Sequence, residues 1–354
     1  MYLGAFVMPS HPPETGVYEG LQYDLAQLEL LDRLGFHEAW IGEHYTAPWE
    51  PCPAPDLLIA QALTRTEHIK LCPGAHLLPY HNPVELAHRV AYLDHMAQGR
   101  YMLGVGISAL GSDLQLFGVD GESGENRRMT MESLELMLEL WTKGPRDFDG
   151  EFWKMRAVET DFDFLHYHLR PFQQPPPPIG IAGLSPSSPT LELAGERGFL
   201  PLSISLNPAH TASHWTSIER GAERSGRKPD RNEWRLVREI YVASTDEEAR
   251  RRARDGAMGR CWREYLLPFY LGNGFGEHFK ADPSHADSDI TVDYLIEHNW
   301  FVGSAATVTE KLAKLQHDTG GFGGLLVMGY DFSGEQEAWE ESLHRLIEDV
   351  LPNV

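Results

Sequence analysis

Short apolar runs alternate with segments of helical spacing along the whole chain, and this rhythm constrains the fold more than any single residue. Runs at Leu3–Met8, His37–Gly42, Ile69–Ala75, Tyr101–Ile107, Ile179–Ala182, Phe199–Ser203, Arg235–Ala243 and Gly324–Gly329 have the length and apolar content of buried strands. Between them the spacing turns helical. Leu21, Leu25, Leu28 and Leu31 share one face of a segment that stops at Gly35. Pro55 opens a second such segment; Val84, Ala87, Ala91 and Met96 mark a third, closed by Gly99. Leu134, Met137, Leu138 and Trp141, then Leu191–Arg197, Pro208–Ser225, a charged stretch from Asp246 and finally Gln336–Val350 continue the series. About eight βα units predict an α/β fold, a single (β/α)8 TIM-like barrel over residues 1–354, in preference to an open doubly wound sheet. Three stretches break the rhythm, at about 107–126, 144–178 and 272–299. The second ends in Pro175–Pro178, an extended lead into the next strand. The third is polar and turn-rich, and long insertions of this kind often cover a barrel's C-terminal mouth.

Composition narrows the partners. Asp and Glu outnumber Lys and Arg by 52 to 30, a net charge of -22. That balance argues against nucleic acid, whose phosphates need clustered cations, and against anionic membrane surfaces. The three cysteines form no CxxC pair and no metal-type spacing, so reduced thiols are expected. Met1–Val7 lacks a basic segment and meets Pro9 too soon for a secretory signal, and no apolar run nears the ~18 residues that span a bilayer. A cytoplasmic location is the expectation.

Barrel enzymes keep their chemistry on the loops past the C-terminal ends of the strands. His11, Glu43 with His44, His76 and Ser108 all fall just there. An imidazole titrates near neutrality, so His44 is the candidate general acid or base. Glu43 is expected on the opposite side, because adjacent strand residues face opposite ways, and could brace the barrel from outside the pocket. A zinc hydrolase would need several converging histidines, but the close pair His166 and His168 lies in a loop-like stretch beside Arg170 and Pro171; no metal is expected. Gly104-Val105-Gly106 makes a poor dinucleotide fingerprint, with no helix directly after it. Ala182-Gly183-Leu184-Ser185-Pro186-Ser187-Ser188-Pro189 is a better anion site, since it joins a strand to a helix N-terminus. Ser185 or Ser188 could also simply cap that helix.

Taken together, several of these stretches resemble a known family. Glu43-His44-Tyr45, Ala75-His76-Leu77-Leu78-Pro79, Gly99-Arg100-Tyr101 with Leu103–Gly106, the 182–189 loop with Ala194-Gly195-Glu196-Arg197, and Val302-Gly303-Ser304 with Thr307–Lys311 carry the likeness. The chain resembles the bacterial luciferase-like, flavin-dependent monooxygenases, in the group with limonene and diketocamphane monooxygenases. The resemblance implies a TIM-like barrel that dimerises, takes reduced FMN from a separate flavin reductase and reacts it with O2 at C4a. It implies a small hydrophobic, cyclic or terpenoid substrate, oxygenated by Baeyer–Villiger insertion or by hydroxylation or epoxidation. His44 matches the family histidine beside the flavin ring, Gly74-Ala75 a turn with a cis peptide beneath the ring, and Ser187 and Ser188 the phosphate loop. The implied cofactor-binding set is Glu43, Ala75, His76, Ser108, Gly183, Ser185, Ser187 and Ser188, with His44 catalytic. Gly106 and Ile107 stand where the luciferases have Cys-Arg, which removes one phosphate contact. A deazaflavin-dependent hydride-transfer enzyme is the alternative on the same fold, and a silent flavin-binding subunit a third reading.

Overall fold

The computed structural model describes residues 1–354. Its main sheet is wholly parallel and contains nine strand segments. Two of these, Lys70–Pro73 and His76–Leu77, are pieces of one strand interrupted at Gly74-Ala75, so the barrel has eight strands. In chain order they are β1 (Tyr2–Val7), β2 (Glu38–Ile41), β3 (Lys70–Pro73, resuming at His76–Leu77), β4 (Leu103–Gly106), β5 (Ile179–Gly183), β6 (Leu200–Ser203), β7 (Arg235–Arg238) and β8 (Gly324–Gly329). β8 pairs with β1, and a bridge between Leu71 and Tyr101 adds to the closure between β3 and β4. The expected barrel is therefore present, and every expected strand but the seventh lies where it was placed, give or take a residue or two at its ends.

Helices α1 (Val17–Arg33), α2 (Pro55–Ala62), α3 (Pro83–Ala97), α4 (Glu125–Lys143), α5 (Pro189–Arg197) and α6 (Pro208–Ser225) follow the first six strands. Four of them start with proline, whose fixed φ and missing N–H suit a first turn. The Asn82, Ser188 and Asn207 side chains cap α3, α5 and α6.

Two clusters form the core. Phe6, Trp40, Cys72, Met102, Leu202, Val237 and Leu326 fill the barrel interior as a packed plug. A far larger cluster lies between strands and helices. Trp40 fits inside because Gly180 faces it: a β-carbon at Gly180 would run into the indole ring. Below the plug, Arg235 reaches across to Glu38 at 2.8 and 3.1 Å, and the Trp40 indole N–H donates to the same carboxylate at 2.8 Å. An ion pair buried this deeply holds only because its hydrogen bonds are nearly all met.

The structure departs from the sequence expectations mainly after β7. The run 235–243 is not one strand. It bends at Glu239, and Ile240–Ala243 leaves the barrel to pair in parallel with Phe301–Ser304, a strand too short and too distant in sequence to be read locally. The intervening cover begins earlier than 272. It contains a helix at Ala257–Cys261, a π-helical turn at Trp262–Leu266, a helix at Leu267–Gly272 and another at Val292–His298. The glycine-rich stretch near 107–126 holds a helix at Gly111–Phe117, and 144–178 carries a two-stranded hairpin, Phe148–Asp149 with Lys154–Met155. No helix is long and apolar enough to cross a membrane.

Candidate active site

The floor of the mouth is built from residues without bulk. β2, β3, β4 and β5 end at Gly42, Gly74-Ala75, Gly106 and Gly183. The Gly74-Ala75 peptide is cis. A β-carbon at Gly42 would meet the Met8 sulfur at 2.5 Å, one at Gly74 the Trp40 Cβ at 2.7 Å, and one at Gly106 the Leu77 side chain at 2.9 Å. Met8, Ala75, Ala182, Ile204 and Met328 line the same level and stay partly exposed. The result is a shallow, largely apolar cradle that any larger side chain would fill.

Glu43 and His44 diverge at its edge, as alternation along a strand requires. Glu43 is fully buried and accepts hydrogen bonds from His76 Nδ1 at 2.9 Å, His81 Nε2 at 2.8 Å and the Tyr45 hydroxyl at 3.0 Å. Burial alone would raise its pKa, but the two imidazoles outweigh it and hold the carboxyl down at about 2. His44 shares none of these partners. It lies between Glu50, 3.4 Å from Nε2, and Asp113, 3.5 Å from Nδ1. Burial pushes the imidazole down, yet the two carboxylates prevail and its pKa is raised. Asp113 is fixed by the backbone N–H groups of Tyr45 and Thr46 at 3.3 and 2.8 Å, and Glu50 by the Tyr265 hydroxyl at 2.9 Å. Ser108, at φ 59°, accepts from the Tyr80 hydroxyl at 2.6 Å.

Across the mouth, the 183–188 loop enters α5. Ser188 caps the helix, accepting from Leu191 N–H at 3.4 Å, while Ser185 and Ser187 remain exposed. His214 donates from Nε2 to the Ser185 carbonyl at 3.0 Å; burial pushes its pKa to about 4, so it is neutral. Thus one serine acts as the cap that the sequence allowed, and its neighbours keep free hydroxyls at a helix N-terminus.

The structure therefore gathers His44, Glu43, Ala75, His76 and Ser108 on one side of the mouth and Gly183, Ser185, Ser187 and Ser188 on another. His11 stands apart, buried between Asp24 and Asp331. Sequence reasoning missed His81, Glu50, Asp113 and Tyr265, which come from loops, the short helix Gly111–Phe117 and the cover. Glu43, His76 and His81 cluster at metal-ligand distances, and each imidazole spends its N–H on Glu43. His166 and His168 lie on the rim of an outer groove of about 740 Å³, away from this mouth.

The comparisons with known proteins agree with this geometry. The family model for luciferase-like monooxygenases matches residues 1–321. The chain belongs to that family. This luciferase-like monooxygenase is 34% identical over 362 residues to 2,5-diketocamphane 1,2-monooxygenase 2 of Pseudomonas putida, covering 100% of this chain and 99% of that one. It is 32% identical to limonene 1,2-monooxygenase of Rhodococcus erythropolis, over 99% of this chain and 86% of the relative. Among solved structures, it superposes with a TM-score of 0.93 on the oxygenating constituent of 3,6-diketocamphane monooxygenase from Pseudomonas putida, a type II Baeyer–Villiger enzyme in complex with FMN; identity is 31%, covering 100% and 98% of the two chains.

Proposed function

We propose that this luciferase-like monooxygenase is the oxygenating component of a two-component system, using reduced FMN from a separate reductase and O2 to insert oxygen beside the carbonyl of a hydrophobic, cyclic ketone. The observation that carries this reading is the flat, small-residue cradle with a seryl helix N-terminus across from it. The cradle has room for a planar ring where any side chain would intrude, and Ser185, Ser187 and the α5 N-terminus offer neutral donors for a phosphate. The full-length likeness to diketocamphane monooxygenases, one of them bound to FMN, supports FMN over a deazaflavin and ketone insertion over other oxygenations.

Bound, reduced FMN supplies the electrons that activate O2. The chain's own groups do the rest. His44, whose pKa is raised by Glu50 and Asp113 on either side of its ring, stands beside the cradle and is the catalytic proton carrier. Glu43, His76 and His81 lock the outer edge of the floor, and Ala75 with Ser108 completes it. The cover keeps water out. It is tied to four loops, through Cys261 to Ser10 at 3.2 Å, Tyr265 to Glu50, Trp262 to Tyr330 at 2.7 Å, and Asn207 to the 277 and 280 carbonyls at 2.8 and 3.1 Å. The enzyme works as a cytoplasmic homodimer on one barrel domain.

His44→Ala tests the assignment. Product formation from a bicyclic ketone should fall by about 100-fold or more, with reduced-FMN binding retained. Unchanged turnover would remove His44 from the mechanism. Hydride transfer from a reduced deazaflavin, with no oxygenated product from reduced FMN, would overturn the whole reading.

A further inference from the structure

Glu239 is a buried acidic side chain that neither the cradle nor the serine loop uses. Glu239 is the first residue past β7, at the bend before Ile240–Ala243. Arg235 meets Glu38 below the plug and Val237 lies in the plug itself, and beyond them the Glu239 carboxyl reaches Tyr330, just past β8, beneath the cover. The residue is 2% exposed, among Trp262, Tyr270 and Tyr330.

Its hydrogen bonding is one-sided, and the direction is forced. The Trp262 indole N–H can only donate, so the Tyr330 oxygen, 2.7 Å away, accepts it. The Tyr330 hydroxyl proton is then free for Glu239 Oε1, at 3.3 Å. Oε1 is an acceptor, while Oε2 is buried with no partner at all. A proton on this carboxyl therefore belongs on Oε2, as a donor facing nothing in the protein. Buried donors rarely stay unmatched, so a site shaped this way waits for an acceptor.

We infer that Glu239, in its acid form, is the specificity residue that donates a hydrogen bond from Oε2 to the carbonyl oxygen of a ketone substrate. This rests on the ketone reading above and sharpens it. Burial is the main force raising the Glu239 pKa to about 7, and its own backbone N–H, Arg238 beside it and the Tyr330 hydroxyl only partly oppose it. The other titratable groups turned toward it, Tyr270 and Cys261 on the cover and Tyr330 after β8, have pKa values pushed up by burial and are neutral there; Arg238 is the single cation. Hydrogen-bond donation is thus present below about pH 7 and is lost above it, where a carboxylate would repel the carbonyl dipole.

The test is equilibrium binding, read by tryptophan fluorescence in the oxidised FMN complex, with norcamphor as the ketone and norbornene as its carbonyl-free counterpart. The unaltered enzyme should bind norcamphor about tenfold more weakly at pH 8.5 than at pH 6, with norbornene unaffected. Glu239→Gln, which keeps a donor without a titration, should bind norcamphor equally at both pH values. Glu239→Leu should bind it weakly at both and still bind norbornene. Norcamphor binding that is absent, independent of pH, or equal in Glu239→Leu overturns the proposal. If norcamphor binds as expected yet reduced FMN and O2 oxygenate only norbornene, the ketone reading fails and the binding role stands.

Discussion

His11, His44 and His214 are all largely shielded from water, yet their surroundings drive them in opposite directions. Burial pushes each imidazole down. It wins at His214, which has only neutral partners, and loses at His44 and His11, which face carboxylates. His11 bridges Asp331 at 2.9 Å and Asp24 at 3.2 Å, tying the loops after β1 and β8 to α1, and its pKa rises to about 9. A raised folded-state value means the stabilisation is full below the unfolded value of 6.5 and fades as pH climbs to about 9. Integrated over that window it amounts to about 3 kcal/mol. Stability measured by urea unfolding should therefore decline between pH 6.5 and 9 in the parent protein, and His11→Asn should flatten that decline. An equal slope in the variant would remove His11 as its source. At this scale the sequence showed which residues end a strand and so reach the mouth. It could not show Glu50, Asp113 or Tyr265, because a loop, a short helix inside an insertion and a cover deliver them outside the strand–helix rhythm.

Elements were more legible than contacts. Each strand is a short apolar run, and four of the six helices α1–α6 begin with Pro, three of those behind an Asn or Ser cap, signals that act within a few residues. What escaped was pairing set by distant chain: the Phe301–Ser304 strand exists because Ile240–Ala243 lies beside it. Packing inside the barrel is equally nonlocal. The Trp40 ring of β2 occupies space that Gly180 of β5 leaves open, so Gly180→Ala should cost about 1–3 kcal/mol by overpacking. Adding Trp40→Phe should restore part of that loss. Additive losses in the double variant, measured by denaturant unfolding, would mean that the two sites do not share this space.

The whole molecule leaves large apolar side chains exposed in several places, among them Phe162 and Phe164 in the 144–178 insertion and three residues on the barrel helices. Leu57 of α2 and Tyr92 and Met96 of α3 remain 67%, 62% and 44% exposed, on two helices that pack together. In a chain of charge -22, whose copies repel, such a patch supports the homodimer reading. Tyr92→Asp combined with Leu57→Lys should yield a monomer by light scattering at micromolar concentration, with the circular dichroism spectrum preserved; a persisting dimer would place the interface elsewhere. The cover has a different kind of independence. It departs after Ala243 and returns at Phe301, and the ladder from Ile240–Phe301 to Ala243–Ser304 holds its two ends side by side. A parallel return needs a crossover of only about a dozen residues, and this one is far longer. The excess is a cassette: replacing 246–298 with the equivalent stretch of a relative would exchange the roof over the substrate and leave the eight strands, and the cofactor's floor, in register.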